Sequence, residues 1–351
     1  MSKQVLGILM NRRVWKNARN GKGYEKVRLY LEAAKKYNVE VCFFSLSNIN
    51  VRNGTVLTYF NHKNKWYQRR VSIPKVIHNR AKLSTHYRRN LEVIEKKYKV
   101  IFYNSWNNYS KLQIHNILNK NTTLRPFLPS THLLTKGNLL LYSHLPSFFL
   151  KPDKGSLGKG IIKVIKHSPN SWKIHFPAKN KKKIIEVQHG NLFLFISKFI
   201  GRKRYIIQET INLQTYHKQP FDIRVSIQKD QIVKWRVSGM VGKVAAKGAY
   251  LSNVHQGGST VKFEHLFPNN QQMIRRNLSQ ISQNIIQHLD KHLPLLADVG
   301  IDFGIDKSGK PFFIEVNFRD QRYSFLNAGM KRTFKLTYDY PVGYGKYLLG
   351  R

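Results

Sequence analysis

Short apolar runs and longer amphipathic stretches alternate along this chain. Residues 4–10 read as a strand buried on both faces, and Tyr24 to Tyr37 as an amphipathic helix with Val27, Leu29, Leu31 and Ala34 on its inner side. Val39 to Leu46 reads as a second strand, Thr55 to Val71 as a β-hairpin turning at Asn61–Lys65, and Pro74 to Asn79 as a third short strand. A helix is expected from Asn107 to Asn119, with Leu112, His115, Ile117 and Leu118 inward. The Leu128-Pro129-Ser130-Thr131 segment breaks the chain before a helix at Leu133–Ser147 and a strand at Phe148–Lys151. Strands follow at Ile161–Lys166, Trp172–His175 and Tyr205–Gln208, with a helix at Leu192–Ile200. Ile223–Lys229 and Ile232–Gly239 suit a hairpin, Gln271–Leu293 a long amphipathic helix, and Val299–Asp306 and Pro311–Asn317 two closing strands. This alternation argues for an α/β or α+β fold. Three regions are expected: an N-terminal α/β lobe at 1–85, a linker and central helical region at 86–150, and a catalytic region at 151–351.

The 351 residues suffice for two or three packed lobes. No apolar run approaches the ~20 residues that span a bilayer. Val5–Met10 is followed at once by Asn11, Arg12 and Arg13, the wrong order for a signal peptide, so a cytosolic protein is expected. Cys42 is the single cysteine and its apolar neighbours suggest a buried structural thiol. The charge is extreme: 61 basic against 18 acidic residues give +43. Such a field draws polyanions, whether nucleic acid, anionic polymer, membrane surface or acidic protein. A compositional origin stands beside that reading, because the charge is spread along a Lys-, Asn- and Ile-rich chain and is dense only at Lys179–Lys183. No helix-turn-helix, RNA-recognition or zinc signature accompanies it.

Three constellations carry candidate chemistry. The first runs from Lys151-Pro152 through Gly155, Ser156, Gly158, Lys159 and Gly160. Three glycines in six residues let backbone amides close over phosphate oxygens, although such a loop between strands is also an ordinary hairpin. A P-loop is excluded: Asp153 and Gly160 stand where that motif needs Gly and Ser or Thr. The second is Asp302 on one strand, then a turn at Lys307–Lys310, then Glu315 and Asn317 on the next. Alternation sends Glu315 and Asn317 to one face, and Asp302 beside them would complete an oxygen-rich patch suited to Mg²⁺. The competing reading is a charged hairpin rim balanced by Lys307 and Lys310. The third is Asp222-Ile223-Arg224, whose two charged side chains share a face, either as a buried ion pair or with Arg224 reaching phosphates.

Taken in order, these elements resemble the ATP-grasp superfamily, and within it the YheC/YheD-like endospore coat-associated proteins. The resemblance runs from Gly7-Ile8-Leu9, Trp66 and Val76–Arg80 through Leu128–Thr131, Lys151-Pro152 and Gly155–Gly160. It continues in Gln208-Glu209, Asp222–Val225, Asn253 with Gly257-Gly258, Asp302 with Glu315–Asn317, and the tail Pro341–Leu349. It implies an ATP-grasp fold with an N-terminal α/β lobe ahead of it. Lys151 and Lys111 match phosphate-contacting lysines, Gly155–Gly160 the closing loop, and Gln208-Glu209 the segment that reads the adenine edge. Asp302, Glu315 and Asn317 match Mg²⁺ ligands, and Arg224 matches the arginine on the transferred phosphoryl group.

The implied function is an ATP- and Mg²⁺-dependent carboxylate–amine ligase acting through an acylphosphate. Its acidic substrate, whether small molecule, peptide or polymer, is not specified. A kinase of the same fold, or a non-catalytic polyanion-binding scaffold of the spore coat, are the alternatives. Two departures stand out: Phe318-Arg319-Asp320-Gln321-Arg322 replaces a Pro-Gly turn, and Lys243 stands in place of an arginine.

Overall fold

In the computed structural model, residues 3–63, 65–155, 158–176, 183–250, 252 and 257–351 are described. Ser156, Asn253 and Lys179–Lys182 of the basic cluster lie outside them.

The N-terminal sheet is built on Val5–Leu9, which pairs in parallel with Glu40–Phe44 on one side and Val76–Asn79 on the other. Ile101–Tyr103 continues the parallel order, and the Thr55–His62/Lys65–Ser72 hairpin extends the opposite edge antiparallel. Helices cover both faces, which is why the central strands are apolar without alternation. On one face Leu6, Ile8, Val41 and Phe43 pack with Tyr30 and Ala33 of Val27–Lys36. On the other, Leu9, Cys42, Phe44 and Ile77 pack with Leu91 and Ile94 of Thr85–Tyr98. Cys42 is buried and burial pushes its thiol pKa up, as a structural thiol requires.

The second sheet is antiparallel, in the order Lys183–Gln188, Ser171–Phe176, Ile162–Ser168, Ser147–Pro152, Tyr205–Glu209, Thr131–Leu133. Its outer face carries Leu192–Ile200. The third runs Ser259–Lys262, Trp235–Val244, Gln219–Lys229, Asp298–Ile305, Pro311–Asn317, with Gln271–His292 packed beneath it through Ile274, Leu278, Ile281, Ile285 and Leu289. A cleft separates the second and third sheets.

Several elements differ from the sequence-based expectation. The helix expected at Leu133–Ser147 is only Lys136–Tyr142, because Thr131–Leu133 joins the edge of the second sheet and Ser147 already begins the next strand. Lys111–Asn119 starts four residues late, and Ile114, not Leu112, is buried beside Leu118. Five helices among the described residues were not foreseen: the short Phe263–Leu266 and Tyr323–Asn327, and the longer Arg12–Arg19, Thr85–Tyr98 and Lys331–Leu349. The first of the longer three carries Arg12, Arg13, Lys16 and Arg19 and buries only Trp15 and Ala18; Trp15 stacks on Phe43 at 5.2 Å and so ties the helix down. The last contains Pro341, Gly343 and Gly345, residues that propensity places outside helices. It forms nevertheless because Phe334, Tyr338, Val342 and Leu348 are buried against the N-terminal lobe.

Candidate functional site

Alternation in three strands assembles the cleft. In Ser147–Pro152, Phe148 and Leu150 enter the core beside Trp172, while Phe149 and Lys151 line the cleft. In Gln219–Lys229, Phe221, Ile223, Val225 and Ile227 pack inward, and Asp222 and Arg224 face the opening. On the last two strands Asp302 lies opposite Glu315 and Gly300 opposite Asn317. A bulge between Asp302 and Phe303 leaves one extra residue on the partner strand and re-aims Glu315 into the cleft.

The oxygen-bearing side chains foreseen on this hairpin do meet. The Asn317 amide donates to Asp302 Oδ2 at 3.3 Å and to Glu315 Oε1 at 3.2 Å. Turning that amide over would bring its oxygen to the same point, so two carboxylates and one amide suit a hard cation shared with phosphates. Among the described residues no cluster of three His, Cys, Asp or Glu offers another metal site.

Cations hold the carboxylates from behind. Arg224 binds Asp302 through two parallel bonds, Nε at 2.6 Å and Nη2 at 2.9 Å, and reaches Asp320 at 3.1 Å through Nη1. The lone Asp222–Arg224 ion pair is therefore not what forms. Lys243 instead bridges Asp222 at 2.8 Å and Asp302 at 3.0 Å. Burial works against the Asp302 carboxylate, but Arg224 and Lys243 outweigh it and hold its pKa near 2. At Asp222, burial and the neighbouring Asp302 outweigh Lys243 and a hydrogen bond from Ser252, and the carboxyl is pushed up to about 6. Asp320 also accepts from Ser226 at 2.5 Å, and Gly300 leaves the room: a Cβ there would sit 2.4 Å from Asp320 Oδ1.

Lys151 donates to Gln208 Oε1 at 2.5 Å, and Gln208 donates to Thr131 Oγ1 at 2.7 Å. Burial pushes Lys151 down to about 8 although Glu315 pulls the other way. Lys111 reaches the Gly155 carbonyl at 3.1 Å, so helix and glycine loop are linked across the cleft. Asp153 is the hinge pin that the sequence did not reveal. It accepts from the Leu112 amide at 3.0 Å and pairs with Arg204 at 3.2 Å, setting a carboxylate at the helix N-terminus. Gly160 has φ +76°, a conformation disfavoured for side-chain-bearing residues, and Gly158 also lines the cleft. Lys159 is exposed beyond it. Glu209 accepts from the Ser130 amide at 2.8 Å, which clips the strand edge to the Leu128–Thr131 segment.

The cleft holds two adjoining cavities. One, open to solvent, is lined by the apolar Phe149, Ile161, Ile211, Leu213 and Phe313 and by charged residues that include Lys151, Asp222, Arg224, Lys243, Asp302 and Glu315. The other lies past Lys151 and is walled by the linker before Lys111 and by Arg319 and Gln321.

A family model described as YheC/D like ATP-grasp matches residues 99–348. The chain is 24% identical over 326 residues to the endospore coat-associated protein YheD of Bacillus subtilis (strain 168), covering 88% of this chain and 70% of that relative. Among solved structures, D-alanyl-alanine synthetase A from Vibrio cholerae O1 biovar eltor str. N16961 superposes with TM-score 0.57 at 13% identity, covering 100% of both chains. N5-carboxyaminoimidazole synthetase from Staphylococcus aureus, complexed with ADP, superposes with TM-score 0.52 at 10% identity, covering 90% of this chain and 70% of that one. At those identities the two structures share the fold. Among the described residues no helix is long and apolar enough to cross a membrane.

Proposed function

The chain belongs to the YheC/D-like ATP-grasp family, and on that premise we propose that it is an ATP- and Mg²⁺-dependent ligase that activates a substrate carboxyl group as an acylphosphate. One observation carries the reading: Lys151, Arg224, Asp302, Glu315 and Asn317 converge from four strands on one cleft whose lining also includes apolar Phe149, Ile161, Ile211 and Leu213.

The apolar lining receives the adenine, with the Gln208–Ile211 segment along its edge. Lys151 and Lys111 bind the phosphates, and the Gly155–Gly160 loop covers them. Asp302, Glu315 and Asn317 would hold Mg²⁺, which when bound neutralises phosphate charge and orients the γ-phosphoryl group. Arg224 and Lys243, fixed by Asp302, Asp320 and Asp222, face the transferred group and stabilise its charge without reorganising. A carboxylate oxygen of the substrate attacks the γ-phosphorus, the bond to the bridging oxygen breaks, and ADP leaves. An amine then attacks the acyl carbon, loses a proton, and expels inorganic phosphate. Loop closure keeps water from intercepting the acylphosphate. The coat association in YheD's name supports a place for this chain at the spore coat or cell envelope.

Thermal-shift titration with Mg·ATP tests the nucleotide step. Saturable stabilisation in the wild type that is lost in Lys151→Ala is expected; no shift in either protein rejects the reading. Product mass then separates chemistries, since a condensation product supports a ligase whereas a phosphoester identifies a kinase. Glu315→Gln should lower turnover by about 10²-fold or more. Salt-sensitive polyanion binding without any ATP turnover would point to a coat scaffold instead.

A further inference from the structure

The second cavity has a composition that nucleotide binding does not explain. It is lined by four cations, Lys82, Lys111, Lys151 and Arg319, against a single carboxylate, Glu315. Phosphates of a bound nucleotide would account for Lys111 and Lys151, which reach both cavities. Arg319, Lys82 and Tyr109 line only the second.

Arg319 is half-buried and donates hydrogen bonds to neutral groups, the Tyr24 hydroxyl at 3.3 Å and the Arg80 carbonyl at 3.4 Å. Among the described residues no carboxylate lies within ion-pair distance of it. This is unusual placement, since Glu25, Asp298 and Asp320 nearby are spent on Arg80, Arg322 and Arg224. The Tyr109 hydroxyl is buried on the same wall with no hydrogen-bond partner among the described residues. Partial desolvation, and then the charges of Arg319, Lys111 and Lys159, hold Lys82 below the ordinary lysine range, so these cations are close enough to repel one another.

We propose that the second cavity takes an acid bearing a further anionic group: its reactive carboxyl lies toward Lys151 and Glu315, and a second carboxylate or a phosphate is held by Arg319 and Lys82 with a hydrogen bond from Tyr109. This rests on the ligase reading and narrows its substrate to small polyanionic acids. Arg319 is the specificity residue, because a planar guanidinium grips such a group through two bonds where a lysine offers a point charge. It is supplied by the Phe318–Arg322 segment that directly follows Asn317.

The test is binding by calorimetry at fixed ionic strength, with and without the non-hydrolysable analogue of Mg·ATP. The probes are succinate, citrate and phosphoserine, with acetate and alanine as mono-carboxylate controls. Polyanionic acids should bind at least tenfold more tightly than acetate or alanine, and Arg319→Gln should remove most of that difference while nucleotide affinity changes less than twofold. Preference for phosphoserine over succinate assigns the second group as phosphate, and the reverse order as carboxylate. Lys291→Gln, an exposed lysine outside the cleft, removes the same charge and should leave acid binding unchanged. Equal binding of mono- and polyanionic acids, no binding of any probe, or an equal loss in Lys291→Gln overturns the proposal. Failure of the nucleotide to bind, with the acid preference intact, rejects the ligase reading and not this one.

Discussion

At the scale of single residues, the cleft is a set of charges held in tension. Lys151 loses hydration by burial and donates its hydrogen bond to the neutral Gln208, so its pKa falls to about 8. In the folded protein it releases its proton between about pH 8 and the value for an unfolded lysine, where the unfolded chain still holds one. The group therefore disfavours folding at neutral pH, and that cost fades as pH rises through this window. Phosphates beside it would restore the proton. Nucleotide binding at pH 8 should then take up about half a proton, and nearly none from this lysine at pH 6. Calorimetry in two buffers of different ionisation enthalpy measures it; zero uptake at pH 8 would mean that Lys151 does not meet the phosphates. The meeting of Asp302, Glu315 and Asn317 was legible from alternation and turn length alone. The partners of Arg224 were not, because Asp320 arrives from a loop 96 positions away.

Elements were read best where a strand or helix has one clear inner face. Leu192–Ile200 and Pro311–Asn317 were placed to the residue, and the hairpins within a few. Arg12–Arg19 and Lys331–Leu349 were missed since one is short with four basic residues and only two buried ones, and the other carries Pro and Gly that packing overrides. In the glycine loop the local signal has a visible backbone consequence, because Gly155, Gly158 and Gly160 all take positive φ. At Gly160 a Cβ would lie 2.9 Å from the Tyr205 hydroxyl and 3.0 Å from Pro152 Cγ, on top of the positive φ. Gly160→Ala should cost about 1–2 kcal/mol of unfolding free energy in urea and weaken Mg·ATP binding about tenfold as the loop shifts. Wild-type affinity in that variant would show that the loop does not cover the phosphates.

Across the whole molecule, a buried ionic network joins the N-terminal lobe to the third sheet. Arg80 Nη2 lies 2.6 Å from Glu25, its Nη1 lies 2.8 Å from Asp298, and Arg322 also binds Asp298. Burial alone would raise both carboxyls, but the arginines hold Glu25 and Asp298 below the usual range. Their stabilising contribution is thus present above the unfolded carboxylate pKa, about 4, and is lost as pH falls below it. Arg80→Met should lower unfolding free energy by about 3–5 kcal/mol at pH 7, with a smaller gap at pH 3.5. An equal gap at both pH values would show that lost packing, not lost pairing, explains the change. The terminal helix reinforces the same junction: the Tyr103 hydroxyl donates to the Pro341 carbonyl at 2.8 Å.

Periodicity and spacing were enough to announce strands, a glycine loop and a carboxylate hairpin, because each is written in residues a few positions apart and obeys local sterics. Which cation neutralises which acid, how Asp153 pins the helix at Lys111, and why Arg319 donates to neutral oxygens depended on contacts between segments that are remote along the chain. Such contacts are chosen by the desolvation cost of every charge at once, a sum over the folded interior that no window of sequence contains.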